Sequence, residues 1–341
     1  MVIILRNGST PEQEAEVKGF LEDHGYAVHF SQGVEKTIMG AVGAPADQDK
    51  TLLRDQLIGL PQVDDVVIVS KPYKLVNRDF HPTKTVIDVG GVKIGGNQVV
   101  VMAGPCTVES PEMLFETARM VKEAGAHILR GGAYKPSTSP YSFHGMGEEG
   151  LRLLKEAKEQ TGLPIITEVM DTRDVELVGQ YTDIFQVGTR NMANFALLRE
   201  IGNTRIPAML KRGMSSTIEE WLQAAEYIAS RGNYNIILCE RGIRTFEPAY
   251  RNVLDVNAIA EVQLRSHLPV CGDASHGTGR WQLVASSTKA ALAAGADCLM
   301  IETHPNPKTA LKDGAQSLTF SDFRRLMGEL KPLAEALGRT L

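Results

Sequence analysis

Apolar residues recur in this chain with two periods, and the change of period divides it. In the first seventy residues, VIIL at 2–5 reads as a strand, and 11–24 reads as a helix capped by Thr10 with Pro11 at its first position. YAVHF and KTIMGAVG follow as strands, 49–58 as a helix, and DDVVIVS as a closing strand. The order β-α-β-β-α-β predicts a ferredoxin-like α+β domain over 1–72. Such a domain binds a small ligand, pairs with a copy of itself or simply packs, and element order does not choose among these. KPYKLVNRDFHP then reads as a linker leading to short strands around TVIDVG and VKIGG, which together fill 73–98.

From 99 to 341 short apolar strands alternate with longer amphipathic stretches. VVVMAG (99–104), HILRG (127–131), PIITEV (164–169), DIFQVG (183–188), PAMLKR (207–212), NIILCER (235–241), LPVCGD (268–273) and DCLMIE (297–302) are predicted strands. Helices are expected near 111–124, 147–161, 172–180, 192–201, 217–231, 252–265, 281–295 and 321–337. Eight strand–helix units over about 240 residues have the rhythm of an α/β fold closed as a (β/α)8 TIM barrel. The rival is an open doubly wound sheet. Its nucleotide-binding signals are missing: no G-x-G-x-x-G follows the first of these strands, and no G-x-x-x-x-G-K-[ST] occurs.

A hydrophobic fraction of 43% in 341 residues supplies a large core, and a net charge of −5 gives no electrostatic reason to expect nucleic acid or an anionic membrane as partner. No apolar run approaches the roughly 18 residues that span a bilayer. Cys106, Cys239, Cys271 and Cys298 are widely spaced, each within or just after an apolar run, a pattern that favours reduced thiols and a cytoplasmic location over a disulfide framework.

On a barrel, the C-terminal strand ends converge on one mouth, and here they are basic. Arg130, Arg190, Lys211, Arg212 and Arg241 lie at or just past four strand ends, with Lys135 on the following GGAYKPSTSP loop. Grouped cations need partners, and guanidinium forks suit phosphate and carboxylate. The competing reading pairs each with a structural carboxylate such as Glu168, Glu240 or Glu247. Cys106, His276, Glu302 and Asp313 follow strands one, seven and eight, which become neighbours when the sheet closes. Together they form a candidate site for one divalent manganese, iron, cobalt or zinc ion, with His304 as a competing ligand. The glycine-rich DASHGTGR turn offers a further anion contact. Phosphoryl transfer, phosphosugar isomerisation, an aldol reaction, carbon–carbon bond formation from an enol phosphate and Schiff-base chemistry at Lys211 all fit these residues.

The stretches KPYKLVNRDFHP, AGPCTVE, LRGGAYKPSTSPYSFHGMG, QVGTRNMANF, LKRG, ILCERGIRTFE, DASHGTGR and ETHPNPKTALKDGAQSL resemble, in order, the 3-deoxy-D-arabino-heptulosonate 7-phosphate (DAHP) synthases of the type I beta form, whose N-terminal extension is ferredoxin-like. The related 3-deoxy-octulosonate 8-phosphate synthases share the phosphoenolpyruvate half, while GGAYKP and CERGIRTFE favour the heptulosonate enzymes. The resemblance implies condensation of phosphoenolpyruvate with erythrose 4-phosphate, the first step of the shikimate pathway. It implies Cys106, His276, Glu302 and Asp313 as metal ligands, Arg130 and Lys135 on the phosphoenolpyruvate carboxylate, and Arg190, Lys211 and Arg241 on its phosphate. Lys135, Pro136, Ser137, Thr138 and Asp273 would face the aldose phosphate. Lys211 would act electrostatically or as an acid, and Glu168 or metal-bound water would manage the attacking water. It further implies a homo-oligomer, tetramer or dimer, with tyrosine or phenylalanine as effector at the N-terminal domain.

Three positions depart from the family pattern. Ser137 stands where K-P-R-T-S/T has arginine, which weakens the expected grip on the aldose phosphate or marks a paralogue using another aldehyde. DASH replaces D-P-S-H, and Trp281 follows Arg280 where a second arginine is common.

Overall fold

The computed structural model describes residues 1–32, 37–43, 49–68, 72–136 and 139–341. The chain forms two compact units, Met1–Lys84 with Leu264–His267, and Thr85–Gln263 with Leu268–Leu341. Parts of the predicted strands at Lys36 and 69–70, and the predicted site residues Ser137 and Thr138, lie outside the described residues.

In the first unit β1 (Val2–Leu5), α1 (Pro11–Asp23), β2 (Ala27–Gln32), β3 (Thr37–Val42), α2 (Lys50–Ile58) and β4 (Val63–Val67) follow the predicted order. The sheet runs β2-β3-β1-β4 with every neighbour antiparallel. Thr10 opens α1 through a reciprocal capping box: its hydroxyl accepts from the Gln13 amide, and the Gln13 side chain accepts from the Thr10 amide at 3.0 Å. One sheet face is apolar, with Ile3, Leu5, Met39 and Ala41 meeting Val17 and Leu21 of α1. Val63 and Val66 share that core although they are three residues apart, because a register shift opposite Ile4 and Leu5 re-phases β4. A Cβ at Gly40 would come within 2.6 Å of the Phe80 ring, so this position of β3 is where the segment after β4 lies directly on the strand.

The second unit opens with a hairpin, β5 (Ile87–Val89) and β6 (Val92–Ile94). Eight parallel strands follow: β7 (Val100–Gly104), β8 (Ile128–Arg130), β9 (Ile165–Val169), β10 (Ile184–Val187), β11 (Ala208–Lys211), β12 (Ile236–Glu240), β13 (Val270–Asp273) and β14 (Cys298–Glu302). β14 pairs with β7 in the register Met300↔Met102 and Glu302↔Gly104, which closes the sheet and rules out the open doubly wound alternative. Each strand is buried throughout, as expected of a parallel sheet covered by helices outside and filled by side chains inside. No helix among the described residues is long and apolar enough to cross a membrane.

The barrel interior is built by strand alternation. Ile128, Ile166, Ile184, Met209, Ile237, Cys271, Cys298 and Met300 form one cluster with Ile87, Val89 and Ile94 of the hairpin, which thereby packs on the interior as a plug. Successive side chains on a strand point to opposite faces. Two residues beyond Ile128, Ile166, Ile184, Met209, Cys239, Cys271 and Met300, the same inward columns therefore end in Arg130, Glu168, Gln186, Lys211, Arg241, Asp273 and Glu302.

Candidate active site

Those seven polar column ends lie where the strands' C-termini meet. A cavity of about 310 Å³ opens there, and its walls include Lys135, Glu168, Arg190, Lys211, Arg241, Arg251, His276, Lys312 and Asp313. Strand phase sorts the basic residues. Arg212 is one residue out of phase with Lys211, and Glu240 one out of phase with Arg241. They meet outside the mouth, where Arg212 Nη1 donates to Glu240 Oε2 at 2.9 Å and Asp255 Oδ2 at 3.0 Å. Pairing with a structural carboxylate is thus right for Arg212. It does not describe Arg241, whose buried Nε has no hydrogen-bond partner among the described residues and whose Nη1 donates to its neighbour's carbonyl, Gly242 O, at 3.4 Å. Burial lowers the pKa of the Arg241 guanidinium, with Asp273 opposing only in part. A guanidinium held this way calls for an anion from outside the protein.

Lys211 donates to Asp273 Oδ2 at 2.7 Å, and both side chains are almost fully buried. Asp273 Oδ1 accepts from the His276 amide at 3.0 Å and so starts the short helix Ala274–Thr278. The DASHGTGR stretch, which reads from sequence as a turn, is this helix, and it carries His276 into the cavity. Glu168 accepts from Gln186 Nε2 at 3.0 Å through Oε2, while its buried Oε1 has no hydrogen-bond partner among the described residues. A Cβ at Gly188 would overlap that oxygen, so only glycine leaves room for the carboxylate here. Arg130 lies deeper: its Nη1 donates to Glu302 Oε1 at 2.5 Å and to Pro105 O at 3.0 Å.

Donor atoms of Cys106, Glu302 and Asp313 lie within 4.8 Å of one another, a geometry that could hold a metal ion. The Cys106 thiol donates to Asp313 Oδ2 at 3.1 Å. His276 stands one step outside that trio, with Nε2 3.4 Å from Glu302 Oε1. Its Nδ1 is 2.7 Å from Asp273 Oδ2 but misaligned for a hydrogen bond. Thiolate, imidazole and carboxylates suit a divalent transition ion, so the residues present fit one. Burial, only partly opposed by Asp273 and Glu302, lowers His276 to about 4 and keeps the imidazole neutral at physiological pH, the form that ligates. Burial and then Glu302 push the Cys106 thiol up, which a bound cation would reverse. Burial would raise the Asp313 carboxyl, but Lys135, His276 and Arg251 hold it below the usual carboxylate range. Asp313 takes a left-handed φ of 51°, a conformation that Asp tolerates better than most residues. His304, the rival ligand, instead turns Nε2 toward Glu109 Oε2 at 3.4 Å.

Three site residues escape sequence reasoning. Gln186 could be found from strand phase alone. Gln316 and Arg251 could not, since they arrive on loops: Gln316 Nε2 donates to Glu302 Oε2 at 2.7 Å, and its Oε1 accepts from Arg251 Nη1 at 3.0 Å. Arg251 Nη1 also donates to Asp313 Oδ1 at 3.1 Å.

Comparison with known proteins identifies relatives for both parts of the chain. Residues 1–71 match the DAHP synthase ferredoxin-like domain. The phospho-2-dehydro-3-deoxyheptonate aldolase of Thermotoga maritima is 49% identical over 338 residues, covering 99% of each chain. A 2-dehydro-3-deoxyphosphooctonate aldolase of Syntrophotalea carbinolica is 33% identical over 72% of this chain and 94% of its own. The crystal structure of the Thermotoga maritima phospho-2-dehydro-3-deoxyheptonate aldolase (DAHP synthase) matches with a TM-score of 0.78 at 48% identity, over 99% of this chain and 98% of that one. A truncated form of 3-deoxy-D-arabino-heptulosonate 7-phosphate synthase from the same organism matches 78% of this chain and 98% of its own, with a TM-score of 0.74 at 50% identity. With residues 77–337 matching its barrel, the chain belongs to the DAHP synthetase I family.

Proposed function

We propose that this enzyme condenses phosphoenolpyruvate with D-erythrose 4-phosphate and water, giving 3-deoxy-D-arabino-heptulosonate 7-phosphate and phosphate. The observation that carries this reading is a cavity whose wall carries Lys135, Arg190, Lys211 and Arg241 together with His276 and Asp313, the latter a member of the Cys106–Glu302–Asp313 cluster. Near-complete coverage of a relative named for that product supports the choice of aldose.

Arg190, Lys211 and Arg241 hold the phosphoenolpyruvate phosphate, and Lys135 with Arg130 holds its carboxylate. C3 attacks the C1 aldehyde, water adds at C2, and the phosphohemiketal breaks its C–O bond to release phosphate. Cys106, His276, Glu302 and Asp313 would hold one divalent manganese, iron, cobalt or zinc ion, which supplies Lewis-acid polarisation or orientation of the aldose carbonyl. Lys211, oriented by its hydrogen bond to Asp273, serves electrostatically and as proton donor to the developing alkoxide, not as an amine nucleophile. Fixed donors of this kind stabilise charge most in a water-poor pocket. Glu168, with one oxygen unbonded, accepts the proton of the attacking water. Lys135, Pro136 and Asp273 face the aldose phosphate, with Ser137 and Thr138, which follow Pro136 in sequence, in the same set.

Residues 1–72 form the regulatory domain in this reading, with tyrosine or phenylalanine as effector in a homotetramer or dimer, and four free thiols suit the cytoplasm. The deciding assay follows phosphoenolpyruvate loss and phosphate release with a panel of aldehydes, with and without chelator. Turnover with erythrose 4-phosphate, abolished by chelator, is expected. A different aldehyde working in its place would move the substrate assignment to the paralogue that Ser137 suggests, and no turnover at all would sink the reading. Tyrosine or phenylalanine inhibition that vanishes when residues 1–74 are deleted would establish the regulatory role.

A further inference from the structure

The four candidate ligands follow or end three different strands: Cys106 after β7, His276 after β13, and Glu302 and Asp313 at and after the end of β14. Two carboxylates and a thiol set this close repel one another once ionised, so something outside the cluster has to hold them. The segment after β12 touches the elements that carry three of the four. The Arg251 amide donates to Thr278 O at 3.0 Å, and Asn252 Nδ2 donates to His276 O at 2.9 Å, which fixes this segment on the helix bearing His276. A Cβ at Gly279 would overlap that of Arg251, so glycine lets the two backbones meet here. From this base Arg251 Nη1 donates both to Asp313 Oδ1 at 3.1 Å and to Gln316 Oε1 at 3.0 Å. The buried Gln316 amide passes the contact on, donating to Glu302 Oε2 at 2.7 Å.

We propose that Arg251 and Gln316 are positioning residues for the metal, a linked brace that fixes the rotation of both carboxylate ligands and sets the affinity of the site. This rests on the metal cluster of the reading above, not on its choice of aldose. The brace grips each carboxylate on one oxygen and leaves the other turned to the remaining ligands. Asp313 Oδ2 accepts from the Cys106 thiol at 3.1 Å, and Glu302 Oε1 lies 3.4 Å from His276 Nε2, with Arg130 Nη1 on the same oxygen. A neutral amide suits the buried end, because it orients Glu302 without competing with the ion for its charge. The cation of the pair stands at the outer end, where its side chain is partly exposed. Arg251 also lines the cavity, so a direct role on substrate is the rival that the test has to separate.

The test uses the full chain, stripped of metal and free of substrate. Cobalt(II) is titrated in against a competing chelator and followed at the thiolate-to-cobalt charge-transfer band. Gln316→Met, which keeps the volume and loses both hydrogen bonds, should weaken cobalt(II) binding by about tenfold to a hundredfold, the range that partners of metal ligands command. Arg251→Met should weaken it by about tenfold. The double variant should lose little more than Gln316→Met alone, because the two side chains act in series. Arg251→Lys, whose single ammonium can still meet both oxygens, should recover most of the loss. At saturating metal, KM for either substrate should change less than the metal affinity does. If Gln316→Met does not fold, the partly exposed Arg251 carries the test by itself. Unchanged cobalt(II) affinity in Arg251→Met would overturn the brace, as would a KM effect larger than the loss of metal affinity, which would make Arg251 a substrate cation. Failure of the parent protein to bind cobalt(II) would sink the metal reading itself.

Discussion

Two layers of the barrel lie two residues apart along the same strands and have opposite compositions. In the lower layer Ile128, Ile166, Ile184, Met209, Cys271 and Met300 pack on the β5–β6 hairpin. In the upper layer the same columns present Arg130, Glu168, Gln186, Lys211, Asp273 and Glu302. One alternation thus produces both the core and the site, and the difference lies in what each layer needs from outside. The lower layer is complete in itself. The upper layer is not: Arg241 Nε and Glu168 Oε1 are buried without partners among the described residues, and three ligand groups crowd into one cluster. Burying ions costs several kcal/mol each unless they are well paired. The upper layer therefore depends on metal and substrate anions, and the lower layer supplies the stability that lets it persist.

The sharpest way to break this comparison is at the metal cluster. Cys106→Ala should lower metal-dependent kcat/KM by about a thousandfold, roughly 4 kcal/mol of transition-state stabilisation. Thermal unfolding of the metal-free protein should change far less, because Cys106 contributes little to the lower core. Competition with a chelator measures metal affinity separately from turnover, and undiminished affinity would remove Cys106 from the ligand set.

Phase gives the next test. Arg212 and Arg241 are both buried arginines beside strand ends, yet one faces Glu240 and Asp255 and the other faces the cavity. Arg212→Met should cost about 3 kcal/mol in unfolding free energy by stranding two carboxylates. Its KM for phosphoenolpyruvate should move less than that of Arg241→Met, whose main effect should be on KM. Denaturant titration and initial-rate kinetics on the two variants decide this. Equal effects on KM would mean that strand phase does not separate structural from functional cations.

Within the lower layer, Ile166→Val should cost about 1 kcal/mol of stability and leave both KM values in place. A change in KM from this single methylene would mean that the layers are mechanically coupled.

Much of this is legible from the residues because the relevant signals are local. The eight strands appear where apolar runs predict them, and the helix expected near 111–124 is there, capped by Ser110, which accepts from the Met113 amide at 3.2 Å. Closure places Cys106, His276 and Glu302 on neighbouring strands, as the expected order β13-β14-β7 requires. The misses have long-range causes. Arg212 groups with the mouth cations only while strand ends are taken without their phase. Arg251 and Gln316 depend on loops that meet across 65 residues of sequence, and periodicity carries no information about such meetings. Arg130 reads as a substrate cation in sequence, and the structure adds that its Nη1 also donates to Glu302 and Pro105. A sequence cannot show which protein groups such a guanidinium also meets.

The smallest expected effect concerns Ser137, which stands where the family has arginine. Introducing Ser137→Arg should lower KM for erythrose 4-phosphate by about threefold, less than a full charge-assisted hydrogen bond is worth, because a long side chain gives up rotamer freedom when it closes on an anion. KM for erythrose, which lacks the phosphate, should not move, since the added guanidinium has no anion to meet on that substrate. Initial rates with the two aldoses, for the parent enzyme and the Ser137→Arg variant, make the comparison. An equal gain with erythrose would mean that the substitution acts elsewhere than on the phosphate, and the upper layer would then owe none of its aldose selectivity to this position.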